Sequence, residues 1–165
     1  MVFQIDLENP EELNKSLIKN IYAERDRDQK GISRSNIPAL GGWHSHNDLH
    51  KSEDYADLVG KIGQATARLS DDLGYADSHE IKIGTMWSII NPPGGVNRAH
   101  VHPGCLWSGV YYIQAPENCG NIEFIEPRTM HLMNQAKYQP NKKRPKECWT
   151  KVRFTPVAGR MLIFP

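Results

Sequence analysis

Cysteine is scarce in this 165-residue chain, and what there is does not pair off. Cys105, Cys119 and Cys148 make three, with no Cys-x-x-Cys spacing. An odd count without that spacing argues against a disulfide framework and suits free thiols in a reducing cytosol. Long apolar runs are also missing: no stretch approaches the ~18 residues that a membrane-spanning helix needs. The opening Met1-Val-Phe-Gln-Ile-Asp6 has no basic region, apolar core or small-residue cleavage site, so it does not read as a secretory leader. Charge of one sign is not in excess either. With 20 Lys and Arg against 19 Asp and Glu, the net charge of +1 weighs against nucleic-acid binding, which rests on a basic surplus. The one basic run, Asn141-Lys-Lys-Arg-Pro-Lys146, reads as a solvated loop. Together these absences predict a cytoplasmic protein without membrane or nucleic-acid partners.

What is present fits one domain over 1–165, long enough to bury a core, with 39% hydrophobic residues and no internal repeat or linker. A short strand is expected at Val2 to Ile5. Asn9-Pro10-Glu11-Glu12 then predicts a helix start, with Asn at the N-cap, Pro at N1 and Glu at N3. Leu13, Leu17, Ile18 and Ile21 continue at helical spacing to about Arg25, and Asp26 to Ile37 reads as loop. A second helix is expected from Ser52, burying Tyr55, Leu58, Val59, Ile62, Ala65 and Leu69, with Gly74 closing it.

The period then changes. Ile81, Ile83, Thr85 and Trp87 alternate with Lys82, Gly84, Met86 and Ser88, which predicts a long strand. Further strands are expected at His100 onward, Leu106 to Ile113, Gly120 to Ile125, Trp149 to Thr155 and Arg160 to Phe164. Pro127 to Lys146 reads as a long irregular connection, with Met130 to Met133 as a short apolar patch. Helices over about 9–73 followed by short strands over about 80–165 predict a mainly β sandwich or barrel with N-terminal helices.

The candidate chemistry lies in Asn91-Pro-Pro-Gly-Gly-Val-Asn-Arg-Ala-His100-Val-His102-Pro103. On a strand, His100 and His102 share a face while Val101 points away, so two imidazoles converge on one cation. Neutral imidazole suits Fe, Zn, Cu and Ni, and by itself the pair is a weak signal that does not choose among them. A second histidine cluster, Gly41-Gly-Trp-His-Ser-His-Asn-Asp-Leu-His50, has no regular period to orient its rings. It reads as a surface segment anchored by Trp43, with Ser45 bonded locally, rather than as a metal site built from His44, His46 and His50.

The spacing Asn91…Gly94…Asn97…His100-x-His102-Pro103, followed by Ser108-Gly-Val-Tyr-Tyr112 and Gly120…Phe124…Pro127-Arg128, resembles the Fe(II)- and 2-oxoglutarate-dependent oxygenases. The likeness is to a branch common in marine bacteria and their phages, and Gly42-Trp43-His44-Ser45 resembles that branch's N-terminal signature. The resemblance implies a double-stranded β-helix (a jelly roll, as in cupins), Fe(II) held by His100 and His102, and 2-oxoglutarate contacted by Tyr112, Asn91 and Ser108. It implies hydroxylation of a small-molecule or peptide substrate, coupled to decarboxylation of 2-oxoglutarate.

Two departures qualify this. The superfamily's usual second ligand is a carboxylate, where this chain has His102. Either the iron takes three histidines, or a carboxylate such as Glu126 enters from elsewhere; the first is preferred. A neutral ligand in place of an anion leaves more positive charge at the iron for a dianionic cosubstrate. Further, the last ligand and a basic cosubstrate anchor are expected after Gly159-Arg-Met-Leu-Ile-Phe-Pro165, where the chain stops, so truncation is expected. An open edge at Arg160 to Pro165 would invite pairing between chains, as in a homodimer. A cupin-like metalloenzyme without 2-oxoglutarate and a non-catalytic jelly-roll binding protein remain alternatives.

Overall fold

The computed structural model describes residues 1–76, 78, 80–128, 132–133, 136–145 and 148–165. They form two compact units, one of 1–114 with 158–165 and one of 115–157. In the first, β1 (Phe3–Asp6) leads to α1 (Glu11–Arg27), a one-turn α2 (Gly31–Arg34), a two-residue β2 (Trp43–His44) and α3 (Ala56–Leu73). After these come β3 (Ile89–Ile90) and β4 (Ser108–Tyr111). The second unit holds β5 (Ile122–Ile125) and β6 (Lys151–Phe154), and the chain re-enters the first with β7 (Arg160–Phe164).

Three strands distant in sequence make the main sheet, in the order β1-β7-β4, all antiparallel. Leu162 faces Gln4 on one side and Val110 on the other. Both edges of β7 are therefore occupied, which corrects the open edge expected at Arg160 to Pro165: its hydrogen bonds go to β1 and β4.

Alternation sorts this sheet into two faces. Phe3, Ile5, Tyr111, Met161 and Ile163 pack into the cluster that holds Leu17 and Ile21 of α1 with Leu58, Ala65 and Leu69 of α3. Tyr111 Oη donates to Asn14 Oδ1 of α1 at 2.6 Å, which gives the buried amide a partner. The opposite face carries Gln4, Asp6, Ser108, Val110, Arg160, Leu162 and Phe164, and Leu162 on it is fully buried.

The helices follow their apolar stripes, with differences at the ends. Asn9 lies in the left-handed region (φ 47°) and Pro10 takes the cap position without a side-chain bond, so Asn9 is not the N-cap. Glu11 and Glu12 in the first turn and Arg25 and Arg27 in the last complement the helix dipole. The expected loop at Asp26 to Ile37 contains α2, whose Gly31 lies against the indole of Trp43; a Cβ there would stand 2.0 Å from Nε1. Single 3-10 turns at Leu49–Lys51 and Glu53–Tyr55 precede α3. Gly74, at φ 68°, closes α3 as expected.

The long strand expected over Ile81 to Trp87 is not formed. Met86 makes one isolated bridge to Asp48, and regular pairing begins only at Ile89. The alternation holds only over its first four positions, where Ile81 and Ile83 are half-buried and Lys82 and Gly84 exposed; Thr85 is exposed and Met86, Trp87 and Ser88 are all half-buried. A periodic pattern without a partner strand makes no ladder, and Gly84 weakens the stretch further.

In the second unit β5 and β6 form an antiparallel pair, with Phe124 and Phe154 edge to face at 5.7 Å. Glu123 accepts from both Lys151 (2.6 Å) and Arg153 (2.5 Å). Of the expected apolar patch, Met130 and His131 lie outside the described residues, while Leu132 and Met133 are exposed.

Candidate metal centre

His100 and His102 do not begin a strand. They lie in the irregular segment between the Pro92–Gly95 turn and β4, so the pleat is not what aligns them. The rings converge all the same: Nε2 of His100 and Nε2 of His102 are 3.1 Å apart. Each ring is held from behind through Nδ1. His100 Nδ1 lies 2.7 Å from the Arg98 carbonyl and His102 Nδ1 lies 3.0 Å from Ser108 Oγ. Trp87 and His102 meet edge to face at 5.5 Å between centroids, and His44 stacks on Trp87 at 5.8 Å.

These partners assign the protons. A carbonyl only accepts, so His100 carries its proton on Nδ1 and turns the Nε2 lone pair toward His102. Ser108 Oγ can donate or accept, and His102 has a choice. With its proton on Nε2, it donates to His100 and the pair closes on itself. With its proton on Nδ1, it donates to Ser108 and two lone pairs meet at 3.1 Å, which is repulsive unless a cation lies between them. Burial, and then the nearby charge of His100, lower the His102 pKa, favouring the neutral imidazole that a metal requires.

Two ligands at right angles on bonds of about 2.1 Å have donor atoms ~3 Å apart. The His100–His102 spacing fits two adjacent positions on one ion. Among the described residues no group of three or more His, Cys, Asp and Glu side chains is placed to hold a metal. His79 and His131 lie outside the described residues. Glu126, the alternative carboxylate, has both oxygens engaged by Arg128, at 2.7 Å each.

The remaining site candidates follow the sheet. Tyr112 N–H donates to the Arg160 carbonyl (2.9 Å) and Gly159 N–H to the Tyr112 carbonyl (2.8 Å), continuing the β4–β7 pairing one residue past β4. Alternation puts Tyr112 on the face of Ser108, away from Tyr111 and the helices. Asn91 is exposed at the start of the turn closed by Gly95 N–H to Pro92 O (2.8 Å). Asn97 Oδ1 accepts from Asn36 Nδ2 at 2.5 Å, tying the turn to the segment after α2.

Sequence reasoning missed Trp87 and His44. Trp87 reads as a strand residue and His44 as part of a surface segment, and their meeting beside His102 needs the β2–β3 pairing. That pairing also explains the segment around them. Trp43 is fully buried and donates to the Asp28 carbonyl at 2.9 Å. Ser45 Oγ donates to His46 O and accepts from Ser88 N–H.

No curated protein matches this chain. Residues 85–165 match the family described as "Putative 2OG-Fe(II) oxygenase". The matched region contains Asn91, the His100–His102 pair, Ser108 and Tyr112, while Gly42 to Ser45 lie before it. Through this C-terminal region the chain is similar to the 2OG-Fe(II) oxygenases, which supports assignment to that superfamily.

Proposed function

We propose that this protein is an Fe(II)- and 2-oxoglutarate-dependent dioxygenase that hydroxylates a small-molecule or peptide substrate. One observation carries the reading: two imidazole Nε2 atoms 3.1 Å apart, each ring fixed through its other nitrogen. His100 and His102 would hold the iron, and the main sheet would belong to a double-stranded β-helix. When bound, iron and 2-oxoglutarate would activate O2, one oxygen atom entering succinate as CO2 leaves and the other hydroxylating a substrate C–H bond.

The chain's own residues position and shield. The Arg98 carbonyl keeps the His100 proton on Nδ1, leaving Nε2 free to ligate. Ser108, expected as a cosubstrate contact, has its hydroxyl on His102 Nδ1; its role is to orient that ring and raise its basicity. Its rotatable hydroxyl lets His102 change tautomer, accepting from the ring when metal binds and donating when the histidines bond each other. Trp87 covers one side of His102 and limits its rotation. Tyr112 and Asn91 are assigned to the cosubstrate, through a phenol on the site's face of the sheet and an amide at its turn.

The test is anaerobic addition of Fe(II) and then 2-oxoglutarate, watching for the weak visible charge-transfer band of the bound pair. The band is expected with the native chain and absent from His100→Ala and His102→Ala. Failure of the native chain to bind Fe(II) would falsify the assignment. Iron binding without the band would remove 2-oxoglutarate from it.

A further inference from the structure

The histidine-rich segment before α3 walls a cleft of about 400 Å³ lined by residues that include Arg34, His46, Asp48, His50, Lys51 and Thr85. All lie in the unit of 1–114. The charges in this lining are unevenly spent. Arg34 is committed: its guanidinium pairs with Asp28 and donates to the His44 carbonyl at 3.1 Å. His46 Nε2 also lies 3.6 Å from Asp28.

Asp48 and Lys51 are not committed. They bracket one 3-10 turn, joined by a backbone bond from Lys51 N–H to Asp48 O at 3.0 Å. Their side chains form no ion pair with each other or with any described residue, and Asp48 does not cap the turn it precedes. One carboxylate and one ammonium, three residues apart and both solvent-exposed, thus stand without an ion-pair partner among the described residues around the same cleft. A simple anion or cation would answer one and leave the other, whereas a ligand bearing both signs answers both.

His50 adds a further polar group. Its Nδ1 is buried without a hydrogen-bond partner and its Nε2 is not among the buried, unpartnered atoms. A buried N–H with no acceptor is costly, so the proton belongs on Nε2. The ring is part of the cleft's lining.

We propose that this cleft binds a small zwitterion of the free α-amino-acid class. The ligand's ammonium pairs with Asp48, and its carboxylate is received by Lys51 and the His50 Nε2–H. The inference does not depend on the metal assignment of His100 and His102.

The test titrates a panel of free amino acids into the full chain, following amide and imidazole resonances of residues 46–51 by NMR. Saturable shifts are expected for at least one amino acid. Its N-acetyl derivative, which lacks the ammonium, and its methyl ester, which lacks the carboxylate, should each bind about tenfold more weakly. Asp48→Asn should abolish the penalty against the N-acetyl derivative alone, and Lys51→Met the penalty against the ester alone. His100→Ala should change neither. Absence of binding by every amino acid overturns the proposal. So does equal binding of a blocked derivative, or substitutions that weaken all three ligands alike.

Discussion

The two histidine-rich segments of this protein make opposite use of the same residue. Residues 43–50 are built into the fold: Trp43 and Ser45 are fully buried, and β2 pairs with β3. Their histidines nevertheless spread apart, His44 toward Trp87 and His46 toward Asp28, while His50 lines a separate cleft. Residues 98–102 are irregular and largely exposed, with Val101 81% exposed between the two rings, yet their imidazoles converge to 3.1 Å. Burial and ladder bonds thus mark what the fold needs. Convergent imidazoles mark the proposed metal centre, and here the two do not coincide.

The largest effects should come from the first segment and appear as stability. Trp43→Ala removes a fully buried indole and its bond to Asp28 O, and should cost about 3–5 kcal/mol in denaturant unfolding. Gly31→Ala tests the same anchor from the other side. With its Cβ only 2.0 Å from the indole Nε1, it should lose about 1–3 kcal/mol. Native-like stability in either variant would break the contrast, by showing that the first segment is no more structural than the second.

In the second segment the large effects should fall on metal binding. His100→Ala should stay within about 0.5 kcal/mol of native stability, because the ring is exposed, while Fe(II) binding by calorimetry is lost. Ser108→Ala should leave the β4–β7 pairing intact and weaken Fe(II) about 10- to 100-fold, as removal of the partner behind a metal ligand does. Unchanged affinity in Ser108→Ala would show that the 3.0 Å bond to His102 is incidental.

The smallest effect is expected at the far end of the site's sheet face. Arg160 donates to both oxygens of Asp6, at 2.6 and 2.8 Å, and the bonds from Arg160 hold the Asp6 carboxyl below its usual pKa of 3.8. A lowered folded-state pKa means a contribution fully present above 3.8 and lost as pH falls through the folded value. The pair is solvent-exposed, so Asp6→Asn should change unfolding midpoints only slightly at pH 7. The difference from native should vanish in strong acid.

Much of the fold was legible because local pattern and burial agree. The stripe through Leu17 and Ile21, the run from Tyr55 to Leu69 ended by Gly74, and the strand at Arg160–Phe164 lie where periodicity puts them. Failures came where the outcome depended on a partner. Ile81 to Trp87 alternates like a strand in sequence, but among the described residues only Met86 finds a bridge, and Asn9 reads as a cap but takes a left-handed turn before Pro10. At the site, the histidine pair and Ser108 were named from the sequence. The bond between Ser108 and His102 was not, because it joins a loop to a strand six residues on.

The sequence by itself determined the helical stripes, the two histidine clusters, the absence of a disulfide framework and the likeness that the family match supports. These properties reside in composition and in spacings of a few residues. Only the tertiary structure decided that β7 is central, that Trp87 packs against His102 with His44 stacked on Trp87, and that the imidazoles of 100–102 converge while those of 44–50 diverge. The physical reason is that side-chain meeting points are set by which strands pair and in what register. That choice is made by burying apolar surface far along the chain, here by bringing residues 3–6 and 108–111 onto the two edges of 160–164.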